Sequence, residues 1–233
     1  MGIADYQARR GQLQTYFDRT AVDAWARLTS TAPVSRIRAT VRAGRDEMRS
    51  TLLGFLPDDL AGRTLLDAGC GTGALSVEAA KRGADVVAID LSPTLVQLGG
   101  ERLPTRLGAG SIDFRVGDMF DASLGRFNHV VAMDSLIHYA AADVVRVLAG
   151  FAARTEHSIV FTFAPQTPML ALMWTVGRLF PRGDRAPALE PISEGSLRRH
   201  LAAEPALQGW RVGRTRLVTS GFYKSQAMEL VKS

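Results

Sequence analysis

Leu65-Leu66-Asp67-Ala68-Gly69-Cys70-Gly71-Thr72-Gly73 constrains the fold of this chain more than any other stretch. A short apolar run ends in an acid, and glycine then takes every second position. The order reads as a buried strand, a tight turn with little side-chain bulk, and a helix starting at Ala74-Leu75-Ser76. Such a loop lets a ligand lie against bare backbone at the carboxyl end of a strand, where open α/β sheets bind ligands. The rhythm continues downstream. Strands are expected over 64–68, 85–90, 111–116, 127–133 and 157–163, with helices over 74–82, 93–102 and 141–153. Alternation of this length predicts an α/β fold, a doubly wound, Rossmann-like sheet.

The flanks differ from this core. Residues 5–30 and Val34 to Phe55 read as helices, stopped by Pro33 and Pro57. After Pro165 the alternation breaks, and five prolines surround one apolar segment, Met169 to Val176. Ser193 then caps a helix over 194–203. Trp210 to Leu217 and Phe222 to Val231 alternate around Thr219-Ser220-Gly221 as a hairpin, which brings the sheet to seven strands. The expected organisation is an N-terminal helical segment over 1–57 and a main domain over 58–233. A cap over 165–192 comes after the fifth strand.

Composition narrows the classes. Hydrophobic residues make up 46% and charged residues 22%, as in ordinary globular proteins. The 169–176 run is shorter than the ~20 residues of a spanning helix, and residues 1–6 lack the apolar core of a secretory signal. One cysteine, Cys70, leaves no internal disulfide and no cysteine-rich metal site, so no metal is expected and the cytoplasm is the default. The net charge of +5 would suit an acidic partner, but the basic residues are dispersed and no nucleic-acid groove is expected. Two clusters stand out: Arg36, Arg38, Arg42 and Arg45, and Arg178, Arg182 and Arg185.

Two cofactors compete for the glycine loop. Gly69-x-Gly71-x-x-Ala74 meets a relaxed dinucleotide fingerprint, and Asp90 ends the next strand about 20 residues on. Three details favour S-adenosylmethionine. Asp67 can meet a cationic amino group and would repel a pyrophosphate. Gly73 extends the glycine series. A second acidic strand end comes at Asp118. The pattern over roughly 50–165 resembles the class I methyltransferase family.

Within that reading, Asp90 accepts from both ribose hydroxyls, and Asp118 with Met119 holds the adenine. Asp134-Ser135-Leu136-Ile137-His138-Tyr139 comes after the fourth strand and faces the methyl group, which makes His138 a candidate catalytic residue. Methyl transfer is an in-line displacement, so alignment and water exclusion dominate. A carboxylate acceptor is already ionised near neutral pH and needs no base, whereas a phenol or alcohol needs one.

Segments outside the core are more specific. Tyr16-Phe17-x-x-Thr20 with Trp25, Ile37-Arg38-x-x-Val41-Arg42-x-Gly44, the 134–139 loop, Phe180 to Ala188, and Ser220-Gly221-Phe222-Tyr223-Lys224-Ser225 resemble the magnesium-protoporphyrin IX methyltransferases of chlorophyll and bacteriochlorophyll synthesis. The resemblance runs nearly end to end. It implies esterification of one porphyrin propionate, with His138, Tyr16 and Tyr139 as catalytic candidates. It implies cofactor contacts from Asp67, Gly69, Cys70, Gly71, Gly73, Asp90, Leu91, Ser92, Asp118 and Met119, with Asp134 and Arg42 beside them. Trp174, Arg178, Phe180, Arg182 and Arg185 would hold the porphyrin. Magnesium protoporphyrin IX is the implied partner, with the porphyrin-binding subunit of magnesium chelatase as a second and peripheral contact with the photosynthetic or inner membrane. There are two departures. Thr29 stands where the family often carries a tyrosine after the tryptophan, and Arg45 where related chains tend to have histidine. Two alternatives stay open here: a methyltransferase acting on another hydrophobic acceptor such as a quinone precursor, and a non-catalytic protein that binds cofactor or porphyrin.

Overall fold

Five parallel strands form where the sequence alternates short apolar runs with helical stretches. They are β1 (Thr64–Ala68), β2 (Asp85–Asp90), β3 (Ser111–Val116), β4 (Phe127–Ala132) and β5 (Thr155–Phe163). An antiparallel hairpin, β6 (Trp210–Ser220) and β7 (Tyr223–Lys232), completes the sheet in the order β3-β2-β1-β4-β5-β7-β6. This is the seven-stranded class I methyltransferase topology. The computed structural model describes residues 11, 36–166 and 189–233. The expected helix over 5–30 and most of the 165–192 cap lie outside the described residues.

Helices cover both faces: α1 (Arg36–Leu53), α2 (Ala74–Lys81), α3 (Pro93–Glu101), α4 (Ala141–Ala152) and α5 (Glu194–Ala203). Each central strand therefore buries successive residues to opposite sides, which is why these strands read as unbroken apolar runs. Leu65, Val86, Val131 and Val160 pack with Met48 and Leu52 of α1 and Leu75 and Ala79 of α2. Leu66, Val130, Ile159 and Phe161 pack with Val144, Leu148 and Phe151 of α4 and Leu197 of α5. Two of these helix starts carry a side-chain cap. Ser92 accepts from the amide of Leu95 with Pro93 in the first turn, and Ser193 accepts from the amide of Ser196.

Strand β5 starts at Thr155, two residues before the expected 157. Thr155 pairs with Phe127, and the register shifts before His129. The polar Glu156 and His157 are exposed at this edge, so they show no apolar signal. The hairpin turns at Gly221-Phe222, with Gly221 at φ +57° in the position a type II′ turn reserves for glycine.

Helix α1 belongs to the core of the domain, because Met48, Leu52 and Leu53 are buried in it along with Leu56 beyond the helix. The turn that follows it is held by Arg214 of β6, which donates to the carbonyls of Gly54 (3.0 Å) and Phe55. The same guanidinium makes two bonds to the buried Glu229, at 2.9 and 2.7 Å. Burial pushes the Glu229 carboxyl up, but the Arg214 bonds outweigh it and hold it below its ordinary value. Helix and hairpin are thereby fixed to each other. The same face carries the contacts that shape the site.

Candidate active site

The chain leaves β1 toward β2 and β3, then returns to place β4 on the other side of β1. Strand order reverses there, so a crevice opens at the carboxyl ends of β1 and β4. One lip is the glycine loop. The amides of Gly69 and Cys70 both donate to the carbonyl of Ile89, at 2.9 and 3.0 Å, which bends the chain out of the sheet. Gly69 has φ +81°, and a Cβ there would collide with the side chain of Ser135 on the opposite lip. Gly71 has φ +56°, and a Cβ there would meet nothing within 4 Å. Its bare backbone faces open space, a cradle of the kind the cofactor reading requires. Gly73 precedes α2, and a Cβ there would lie 2.5 Å from the Phe114 ring. The cradle and the acids around it fit a ligand with a cationic amino acid end and a ribose.

Asp90, at the end of β2, accepts from the amides of Gly71 (2.8 Å) and Ser92 (2.9 Å), one on each oxygen. A carboxylate has about four acceptor sites, so holding the loop is compatible with a contact to ribose hydroxyls. Sequence reasoning did not foresee that Asp90 also shapes the glycine loop. Leu91 is half-buried and Ser92 is buried beside it. Asp118 accepts from the amide of Phe120 at 2.9 Å in a local turn, and Met119 packs partly against the core.

Asp67 is only 1% exposed and accepts from the Ser76 hydroxyl at 2.6 Å. Burial pushes its carboxyl up to about 6, with Asp90 adding to the rise and Ser76 opposing it. The raised value means that the folded protein holds this proton more tightly than the unfolded chain. A cost of about 3 kcal/mol is thus present above pH 6 and absent below about 4. A cationic amino group beside Asp67 would recover that cost. The affinity for S-adenosylhomocysteine should be flat above pH 7 and fall by up to about tenfold per unit below pH 6. Calorimetric titration from pH 5 to 8 checks this, and Asp67→Asn should remove the dependence. An affinity that is constant across the range would place the amino group elsewhere. Burial also pushes the neighbouring Cys70 thiol well up, with Asp67 and Asp90 contributing, so it stays protonated at neutral pH.

The second lip runs from Asp134 to Tyr139. His138 is 8% exposed, and Tyr139, at 3%, packs in the core. The Asp134 carboxylate is taken up by protein groups. It accepts from Arg45 at 2.8 Å, from the Tyr223 hydroxyl at 3.0 Å, from Ser225 at 3.2 Å and from Thr162 at 3.3 Å. The sequence-based assignment of Asp134 to the cofactor therefore meets a carboxylate already committed to α1, β5 and β7. Tyr223 and Ser225 were missed as functional positions, and their only signal was the Ser220–Ser225 segment that carried the family resemblance. Arg42 is half-buried on α1, one turn before Arg45. Tyr16, Trp174, Arg178, Phe180, Arg182 and Arg185 lie outside the described residues. Both ends of the cap are described. Pro165 bridges to Ile192, and the Glu190 amide donates to the carbonyl of Ile137 at 2.9 Å, which attaches the cap's return to the second lip.

Comparison with known proteins gives a consistent result. The family description "Magnesium-protoporphyrin IX methyltransferase C-terminus" matches residues 132–232, and a general "Methyltransferase domain" matches 65–157. The magnesium-protoporphyrin O-methyltransferase of Rhodobacter capsulatus is 50% identical over 227 residues, covering 97% of this chain and 98% of that protein. The crystal structure of magnesium protoporphyrin IX methyltransferase from Synechocystis PCC 6803 with bound SAH superposes with a TM-score of 0.80 at 27% identity, covering 96% of this chain and all of that one. A ubiquinone biosynthesis O-methyltransferase of Xanthomonas oryzae is 33% identical over 54% of this chain and 55% of its own length. The quinone enzyme shares only about half of the chain, whereas the likeness to the porphyrin enzymes spans both lips, the cap and the hairpin. This chain belongs to the magnesium-protoporphyrin O-methyltransferase family.

Proposed function

We infer that this enzyme transfers a methyl group from S-adenosylmethionine to magnesium protoporphyrin IX. We further propose that the acceptor is one propionate carboxylate, that the product is the monomethyl ester, and that the step serves bacteriochlorophyll synthesis. The supporting observation is that the full-length likeness reaches across 132–232, beyond the core shared by methyltransferases of other substrates.

When bound, S-adenosylmethionine supplies an electrophilic methyl group on a sulfonium. This chain's residues provide the rest. The Gly69–Gly73 loop would give it a cradle at the bare backbone of Gly71, with Leu91, Ser92 and Cys70 beside it. Asp67 would meet its amino group, Asp90 its ribose, and Asp118 and Met119 its adenine. His138 lies in the second lip, where it can donate to the attacking carboxylate and hold it in line. No proton has to be removed from an ionised propionate, so the demand on His138 is orientation. Arg178, Arg182 and Arg185, with Trp174 and Phe180, would supply charge and apolar area for a planar dianionic macrocycle. Tyr16 would complete the site from the N-terminal segment. Among the described residues no helix is long and apolar enough to cross a membrane. The proposed membrane contact therefore rests on the 169–176 run, and delivery by the chelatase subunit on the substrate's low solubility.

The test is incubation of the purified protein with S-adenosylmethionine and magnesium protoporphyrin IX, followed by chromatography of the porphyrin. One new, less polar product with equimolar S-adenosylhomocysteine is expected. Binding of both ligands without S-adenosylhomocysteine formation would point to the non-catalytic alternative. Turnover of a quinone precursor but not of the porphyrin would point to the other.

A further inference from the structure

Asp134 has φ +55°, and among the described residues it is the one non-glycine in the left-handed region. Most side chains avoid this conformation, and Asp and Asn tolerate it best. Its surroundings hold it there. The backbone amide donates to Thr162 Oγ1 at 2.7 Å, while the carboxylate, 6% exposed, accepts from Arg45, Tyr223, Ser225 and Thr162. These partners come from α1, β5 and β7, so the residue joins three elements at the mouth of the crevice. The Tyr223 ring reaches this place because Gly44 leaves room for it. A Cβ at Gly44 would lie 2.5 to 2.9 Å from the Tyr223 side chain. The hairpin tip is seated similarly, with Gly221 against Thr40 of α1.

The residues just beyond Asp134 give this arrangement its functional weight. Ser135 lies directly against Gly69 of the cofactor loop, and His138 is buried three residues further on. A change in the backbone at 134 would alter the orientation of both within the crevice. We propose that Arg45, Asp134 and Tyr223 form a latch that sets the 134–139 lip, and with it Ser135 and His138, in the conformation methyl transfer requires. Asp134 is thus a positioning residue that acts through the lip. The phenol of Tyr223 is suited to this work. Burial and the adjacent Asp134 push it well above its ordinary value, so it remains a donor at every working pH.

The latch rests on the proposed active site, and the experiment keeps the two apart. Wild-type turnover decides the acceptor; the variants are then compared on whichever acceptor the wild type methylates. Asp134→Asn keeps the shape and the tolerance for positive φ but removes the charge that pairs with Arg45. It should lower kcat by about 10- to 100-fold, as a displacement of about 1 Å does, while the affinity for S-adenosylhomocysteine stays within about threefold. Arg45→Lys should retain more activity than Arg45→Met. The double variant Arg45→Met with Asp134→Asn should fall no lower than the worse single variant, because a unit is lost only once. Should Asp134→Asn not fold, Tyr223→Phe, which removes one oxygen, carries the same readouts. Folded enzyme is counted in each case by S-adenosylhomocysteine stoichiometry, so a purely structural loss does not register in kcat. The latch is overturned by a folded variant with wild-type kcat, by losses that multiply in the double variant, or by a loss confined to S-adenosylhomocysteine affinity. The last result would return Asp134 to the cofactor.

Discussion

Gly69→Ala should give a folded protein whose affinity for S-adenosylhomocysteine is reduced by about 100-fold or more. Two penalties combine at this position. An L-residue at φ +81° costs about 1–2 kcal/mol, and the added methyl group collides with the Ser135 side chain, an overpacking worth about 1–3 kcal/mol. The strain can be relieved only by separating the two lips, which are the surfaces that define the crevice. The core lies on the sheet faces and is not touched, so cooperative unfolding should persist with a lowered Tm. Gly71→Ala is the informative partner. The methyl group there meets no protein atom, so stability should change less while affinity still falls, because the methyl group occupies the cradle. Calorimetry and thermal melts on the pair check this. Undiminished binding by Gly71→Ala would mean that the ligand does not lie against this backbone.

His138→Ala should reduce kcat by about 10- to 1000-fold without introducing or removing a pH step. If the acceptor is a propionate, it is ionised well below neutral pH, and a histidine beside it serves as a positioned donor. The wild-type profile of kcat should then be flat through pH 6.5, where a free imidazole titrates. A phenolic acceptor predicts the opposite. The rate would climb between pH 6 and 7.5, and the variant would recover at high pH. Tyr139 cannot easily take over as donor, since its ring is packed in the core at 3% exposure. The pH–rate profile of wild type and variant therefore separates propionate esterification from base-assisted methylation.

The central strands were legible because each is buried on both faces and bounded by polar or glycine residues. Thr64–Ala68 and Asp85–Asp90 match their expected limits, and Ser111–Val116 matches too, although it is an edge strand with no fully buried residue. The acids of the site were legible by position, at successive strand ends. What could not be read was which of their oxygens the protein itself uses. Asp67 meets Ser76 one turn into α2, and Asp90 meets the amide of Gly71. The partners of Asp134 illustrate the limit best. Arg45 and Tyr223 are each 89 residues away along the chain. No local pattern announces a contact of that span, and only the sheet order, which sets β7 beside β5, brings Tyr223 to the lip. Histidines show the same contrast. His129 hydrogen-bonds Ser158 at 2.8 Å, and burial holds it neutral, at about 4, so it serves the sheet. His138, equally unremarkable by composition, lies at the mouth.

The stem of the cap gives the fold a natural place for exchange. Pro165 and Ile192 are bridged, Gln166 donates to the carbonyl of Ile192, and Ile192 donates to that of Ala164. The 26 residues between 165 and 192 thus leave and rejoin the sheet at one point. Closing a longer or shorter chain across such a stem changes the free energy slowly, by about 0.6 kcal/mol per doubling of length. Recombination could therefore replace this segment wholesale while the sheet and its cofactor loop stay intact. The bond from Glu190 to Ile137 would bring each replacement back to the same point on the His138 lip, so a lineage could acquire new acceptors without rebuilding the donor half of the site.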